Sequence, residues 1–294
     1  MAHAERGLCG ISLTELLKRT LRESWEDQVF GQSARLAFYH FMAIFPTLLI
    51  VLIPLAHLSA HGSAMRRNLE GSFGEILPND TATLVASAIH DLDANARVGG
   101  ALLVLGALGA VWAAINASLA MIVGLNKAYE TQEDRGWWRV TRIATGLGTA
   151  VVTLVFVALA ATHYASLILG STQGTIKALV QWTAVVLILV ISFSLFYRFG
   201  PNLKAHEWKW SIPGAVFAAL LWTGFALIMR TYFNEFNSYR QIYGRVAPAA
   251  MLLLWLYLTS ATVLIGAELN SEIEKAREAS GMAPALRKGA RDRS

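Results

Sequence analysis

Between Arg245 and Glu268 the chain runs VAPAAMLLLWLYLTSATVLIGA, 22 residues without a charge, and no other feature constrains the fold as strongly. At about 1.5 Å of rise per residue, a helix of that length crosses the roughly 30 Å of bilayer hydrocarbon. A water-soluble helix this long shows a polar face every third or fourth residue. Here only Tyr257, Thr259, Ser260 and Thr262 are polar, and hydroxyls can be satisfied by the carbonyls of their own helix. The stretch predicts a membrane span, and lipid as the solvent of the chain around it.

Five further spans follow from the same argument. Leu36 to Leu58 has no Lys, Arg, Asp or Glu and carries Pro46 and Pro54, which kink a helix. The second span lies within Val98 to Leu125, where Gly106, Ala110, Ala114 and Ser118 recur every fourth residue. Small residues at that spacing let two backbones approach closely, which predicts a central, protein-packed helix. The third span covers about 143–169, the fourth 178–197, the fifth 211–229 and the sixth 246–267. The expected fold class is therefore all-α, a polytopic membrane protein with six transmembrane helices.

Short amphipathic helices are expected outside the spans. At the N-terminus, Ser12 and Glu15 stand at capping-box spacing, and Leu13, Leu16, Leu17, Leu21 and Trp25 recur at helical intervals beside Lys18, Arg19 and Arg22. That segment either lies on the membrane surface or packs against the ends of the spans. Met65 to Leu77 and Thr81 to Leu92 predict two more such helices in the longest connection. The organisation is then an N-terminal amphipathic segment (1–35), a six-span domain (36–270) and a basic tail (271–294).

A chain of 294 residues that is 55% hydrophobic and 15% charged, with mean hydropathy +0.45, agrees with membrane residence. Its net charge of +5 would suit nucleic acid, but the basic residues are distributed as a membrane protein distributes them. Of the 25 Lys and Arg, 18 fall in the N-terminal segment, in 126–142, in 198–210 and after 267. The other connections carry 7. This asymmetry predicts both termini in the cytoplasm and no nucleic-acid partner. The single cysteine, Cys9, excludes an intramolecular disulfide framework. No early apolar run precedes a small-residue cleavage site, so no cleavable signal peptide is expected.

Several polar words between the apolar runs resemble the YihY/BrkB-type bacterial inner-membrane proteins, a family once labelled ribonuclease BN. They are ARLAFYHFMAIFPTLLIVL at 34–52, GLNKAYE at 124–130, YRFGPN at 197–202, PGAVFAALLW at 213–222, and NSYRQIYG followed by LLLWLYLTSATVLIGAELN. The resemblance implies six spans in the bacterial inner (plasma) membrane with both ends inside. It also implies a range of roles, from transport or export to serum-resistance virulence, with the old ribonuclease label beside them. It supplies no catalytic motif that could be carried over.

Candidate site residues are therefore polar groups placed where lipid is expected. Tyr39, His40, Asn116, Arg198, Glu268 and Asn270 converge on the cytoplasmic half, where Arg198 and Glu268 would pair or bind a substrate headgroup, or would serve only as a helix-end clamp. On the opposite side Arg230, Arg240 and Arg245 are interleaved with Tyr232, Tyr239 and Tyr243; of these, Arg230, Tyr239, Arg240, Tyr243 and Arg245 suit a lipid headgroup or another anion. The seven histidines are scattered, and only His57 and His61 stand four apart. That predicts no catalytic residue, no metal site and no cofactor. No Gly-rich loop with Lys and Ser/Thr is present to cradle ATP phosphates. The reading is a transporter or exporter of an amphipathic or anionic, lipid-like substrate that does not hydrolyse ATP itself. Its partners would be membrane lipids and another copy of the chain. The alternative is a non-transporting scaffold or envelope-integrity factor.

Overall fold

The computed structural model describes residues 11–57, 100–169, 174–203, 207–235 and 246–280. All regular elements among them are helical. They are α1 (Leu13–Glu26), α2 (Val29–His57), α3 (Gly100–Ala128), α4 (Trp137–Leu169), α5 (Gly174–Phe199), the single 3-10 turn η1 (Trp208–Trp210), α6 (Ile212–Glu235) and α7 (Ala247–Ala279). Each expected span falls on one of the long helices α2 to α7. Among the described residues, four stretches are long and apolar enough to cross a membrane: Val111–Ala128, Trp182–Phe199, Trp208–Met229 and Ala249–Ala279. The chain is an all-α polytopic membrane protein. The two expected helices within 65–92 lie outside the described residues.

The long helices pack in chain order. Each of α2 to α6 lies against its successor, and α7 closes the ring on α2 while also reaching α3. The start of one helix meets the end of its neighbour, as Leu36 of α2 meets Leu125 of α3, Ile122 of α3 meets Val140 of α4, Tyr197 of α5 meets Ala218 of α6, and Gly214 of α6 meets Gly266 of α7, so these pairs run antiparallel. Among the described residues the largest buried cluster is at the end that holds α1. There Leu36, Leu125, Tyr129, Phe193, Tyr197, Ala218 and Leu264, from five helices, form one buried cluster. A smaller one, Trp222, Ala226 and Trp255, joins α6 to α7 nearer the other end, with the two indoles edge to face at 5.3 Å.

α3 is packed against protein through alanines. Ala113 and Ala117 meet Ala43 of α2 beside Tyr39, while Ser118 faces α4, where a Cβ at Gly148 would come within 3.1 Å of its hydroxyl. Of the expected small-residue stripe, the side chains of Gly106, Ala110 and Ala114 lie outside the described residues.

α1 begins as its cap predicts, with the Ser12 hydroxyl accepting from the Glu15 amide at 3.3 Å. The reciprocal half of the box is replaced, because the Glu15 carboxylate turns to Arg19 at 2.8 Å. The helix packs on α7 through Leu16, which meets Leu269 and Ile273. The seat is narrow and mostly small or polar: Leu16, Thr20 and Ser24 are buried, whereas Leu13, Leu21 and Trp25 point outward.

α7 departs most from the sequence reading. The helix was expected to leave the bilayer at Ala267, yet it continues to Ala279, and every residue from Ser260 to Glu274 is buried. The boundary drawn between 270 and 271 therefore falls inside a helix. GAELNSEIEKAREA is rich in strong helix formers, and α1, α2, α3, α6 and η1 pack around α7. Trp210 lies beneath the guanidinium of Arg277 at 3.8 Å, a cation–π contact that caps the same region.

Candidate functional site

Two polar constructions occupy the end of the bundle that holds α1. The first joins two loops. Asn126, in the last turn of α3, donates through Nδ2 to Glu133 Oε2 at 2.8 Å and accepts from the Asn202 amide at 2.8 Å. Arg135 grips Glu133 Oε1 through Nε at 2.7 Å and donates through Nη2 to the Gly200 carbonyl at 2.7 Å. Asn202 donates in turn to the Gln132 carbonyl at 2.9 Å and to Asp134. The α3–α4 loop and the start of the α5–α6 connection are thus one knot. Its members lie in and around the words GLNKAYE and YRFGPN.

Burial pushes the Glu133 carboxyl upward, but hydrogen bonds from Arg135 and Asn126 outweigh it and leave the group below the usual carboxylate range. A carboxyl with a lowered folded pKa contributes stability above its ordinary value of 4.5, and loses that contribution as pH falls through the folded value. Protection of the amides in 129–136 from hydrogen exchange, taken relative to the intrinsic rate at each pH, is therefore expected to fall in acid, and Glu133→Gln should remove most of that acid dependence. Equal acid dependence in both proteins would show that Glu133 does not hold the loop.

The second construction is an acidic cluster on α7. Lys275 Nζ lies 2.6 Å from Glu130 Oε1, 2.6 Å from Glu272 Oε1 and 3.9 Å from Glu23 Oε2. It thereby ties α1 and the end of α3 to α7. Glu130 reaches it from a left-handed backbone conformation, φ 47°, in a Schellman-type ending: the Glu130 amide bonds Lys127 O at 2.9 Å and the Thr131 amide bonds Asn126 O at 2.8 Å. Glycine is the usual residue at such a position. A glutamate there costs roughly 1 kcal/mol and gains the contact with Lys275.

Deeper along α7 is Glu268, only 1% exposed, whose Oε1 has no hydrogen-bond partner. The charges acting on it most strongly are those of Asp27, Lys275, Glu23 and Glu130. Asp27, in the α1–α2 turn, also has a buried oxygen without a partner, and burial holds its carboxyl above the usual range. Three carboxyls, from Glu23, Glu130 and Glu272, thus share Lys275 as their cation, and its charge also acts on Asp27 and Glu268. Among the described residues no three His, Cys, Asp or Glu side chains are arranged to hold a metal ion.

The other predicted site residues separate into distinct positions. Asn270 is fully buried and structural, accepting from the Gly214 amide at 2.7 Å and donating to the Ser211 carbonyl at 3.1 Å. Asn116 donates to the Trp112 carbonyl of its own helix at 2.7 Å, and His40 Nδ1 lies 2.9 Å from the Leu36 carbonyl. Tyr39 is half-buried, with the Arg35 guanidinium 5.9 Å from its ring. Arg198 does not pair with Glu268: its guanidinium lies over the Phe199 ring at 5.3 Å. Glu268 is buried in α7, the helix against which α1 and α3 pack. The side chain of Arg230, at the far end of α6, and all of Tyr239, Arg240, Tyr243 and Arg245 lie outside the described residues.

Sequence reasoning missed Glu23, Asp27, Glu130, Glu272 and Lys275, together with the knot residues Asn126, Glu133, Arg135 and Asn202. The knot had a signal in the two polar words. The acidic cluster had only a faint one, in the acid-rich helical continuation after Ala267.

Residues 20–289 match the family described as Virulence factor BrkB. The chain is 30% identical over 276 residues to a protein of Bacillus subtilis (strain 168) named as ribonuclease-like, YfkH, with 90% of this chain and 96% of that one covered. It is 26% identical over 263 residues to a UPF0761 membrane protein of Stenotrophomonas maltophilia (strain K279a), covering 84% of this chain and 58% of that longer relative. A stretch of 88 residues is 42% identical to a UPF0761 membrane protein of Pseudoalteromonas translucida, although it represents only 29% of this chain. No solved structure matches it.

Proposed function

The chain belongs to the Virulence factor BrkB family of membrane proteins, and from that premise we propose that it is an inner-membrane transporter or exporter of an amphipathic substrate that does not hydrolyse ATP itself. The observation that carries this reading is Glu268: a carboxyl within a helix that continues a membrane span, 1% exposed, with one oxygen unbonded. An ionisable group in that position is costly, and membrane proteins retain such groups chiefly along substrate and ion pathways. The unbonded oxygen is free to accept from a hydroxyl, amine or other donor on a passing molecule. The excess of carboxyls around it disfavours an anion on this side, which narrows the substrate to an amphipath with a neutral or cationic polar group. Any anionic preference would belong to the Arg- and Tyr-rich segment 230–245.

Transport of candidate lipids and amphipathic solutes by the purified protein in liposomes tests the proposal, with Glu268→Gln as the decisive variant. Undiminished flux in that variant would remove the support for a pathway at Glu268. The alternative of a scaffold draws on the loop knot, in which hydrogen bonds cross-connect two loops as a rigid platform would. It predicts that Asn202→Ala impairs function while Glu268→Gln does not.

Six crossings with both termini in the cytoplasm complete the proposal. The segregation of 18 of the 25 basic residues and the antiparallel ring both support it. Reporter fusions after Gln132 and at the C-terminus should report cytoplasm, and fusions at Asn79 and Asn237 the opposite side. A C-terminus outside the cytoplasm would defeat the six-span arrangement.

A further inference from the structure

The N-terminal helix α1 has three faces. One is the seat on α7, through Leu16, Thr20 and Ser24. Beside it round the helix run Leu13, Leu21 and Trp25, 64%, 66% and 75% exposed, with half-buried Leu17 completing the four-residue spacing. The remaining face carries Glu15, Lys18, Arg19, Arg22 and Glu26. A contiguous apolar stripe of this kind marks an interaction surface, and two observations indicate what covers it.

The first is continuity. Trp25 meets Phe30 edge to face at 6.0 Å, and Phe30, Ala34, Phe38 and Met42 are exposed at four-residue spacing along α2. This is the side that α2 turns away from the bundle. The stripe of α1 therefore runs unbroken into an apolar stripe on the outside of a bundle whose solvent is lipid. The second is charge. Arg19 is held by Glu15 at 2.8 Å, whereas Arg22 is only loosely paired, 3.5 Å from Glu23 and 3.6 Å from Glu26 with its side chain 66% exposed, and Lys18, at the border of the stripe, has no carboxylate partner among the described residues. The basic groups line the edge where a helix lying in the interface meets phosphate.

We infer that α1 lies in the headgroup layer of the bilayer, with Leu13, Leu17, Leu21 and Trp25 against acyl chains and Lys18 and Arg22 holding the phosphates of anionic lipids. The helix then has lipid on one side and the Lys275 hub on the other, which Glu23 reaches from the same element. This surface is distinct from the proposed pathway at Glu268 and does not depend on transport.

The test uses the full chain with Cys9→Ser and one cysteine restored in α1, labelled with a solvatochromic fluorophore in lipid nanodiscs. Labels at Leu21→Cys and Trp25→Cys should shift to the blue and be quenched by lipids bearing a nitroxide near the headgroup. Labels at Arg19→Cys and Glu26→Cys should do neither. Both sets of positions are exposed, so the fold is retained, and an unchanged melting temperature verifies it. In a lipid-binding titration of the unlabelled protein, Lys18→Glu combined with Arg22→Glu should reduce the preference for phosphatidylglycerol over phosphatidylcholine by on the order of tenfold. Water-like emission at Leu21 and Trp25 would overturn the inference. So would a blue shift that lipid nitroxides fail to quench, since a protein, a second copy of this chain included, would then be covering the stripe. An unaltered lipid preference in the charge-reversed variant would overturn the anionic specificity.

Discussion

Gly214→Ala should prevent α6 and α7 from closing, and little of the variant should be recovered as a monodisperse folded protein in detergent. The two helices cross where Gly214 and Gly266 face each other. A Cβ at Gly214 would collide with the Gly266 carbonyl and come within 2.5 Å of Asn270 Cγ, while one at Gly266 would collide with the Tyr197 hydroxyl and come within 2.7 Å of the Gly214 carbonyl. These are mostly backbone atoms or side chains already fixed by hydrogen bonds: Asn270 holds the Gly214 amide, and Tyr197 donates to the Val263 carbonyl at 2.7 Å. Nothing at the crossing can move aside alone, so one added methyl must separate the helices. The cost should be about 3 kcal/mol or more, the upper part of the range for overpacking. Gly224 is the control within the same helix, because a Cβ there meets nothing within 4 Å. Gly224→Ala should be neutral or gain up to about 1 kcal/mol from helix propensity. A melting temperature for Gly214→Ala equal to that of Gly224→Ala would show that the crossing is looser than described.

The second large effect is expected on activity. Glu268→Gln keeps the size of the side chain and removes only its capacity for charge. If the buried carboxyl meets a substrate group, transport in liposomes should fall at least about tenfold, equivalent to about 1.4 kcal/mol of lost interaction. Stability should change little, because no hydrogen bond ends on Oε1. Asn270→Ala provides the contrast. It removes two bonds that fasten α6 and η1 to α7, so it should lower stability by about 2 kcal/mol and lose activity only as folded protein is lost. A variant Glu268→Gln that melts early and transports normally per folded molecule would reverse the two assignments.

The apolar runs made the long helices legible, and Ser12 marked the start of α1 correctly. What the sequence conceals is where helices end and what roofs them. Hydropathy drops at Glu268, which suggested an exit to water. Whether a polar turn is wet depends on a neighbour remote in sequence, here Leu16 seated on Leu269 and Ile273. The expected pairing of Arg198 with Glu268 failed for the same reason, since both lie at one end of the bundle but on different helices and facing different surroundings. Asn116 and His40 are polar in apolar runs, and each bonds the carbonyl four residues back in its own helix. The polar words that carry the family resemblance proved more informative than the isolated polar residues. Asn126, Gly200 and Asn202 meet in the loop knot, and Gly214, Gly266 and Asn270 meet at the α6–α7 crossing.

The ring closes between its first and last members, and this has a bearing on biogenesis. α2 reaches the membrane early in synthesis, whereas α7, which packs on α2, α3 and α6 and seats α1, leaves the ribosome after all of the helices it packs on. Until it arrives, the faces of α2 and α6 that it covers have only lipid or the insertion machinery for company. Chains elongate at about 5–20 residues per second, so the roughly 190 residues between the end of α2 and the start of α7 keep the intermediate open for about 10 to 40 seconds. A nascent chain arrested before Gly266 would hold the spans of a membrane protein without the crossing that locks them, and quality-control proteases would meet it in that state.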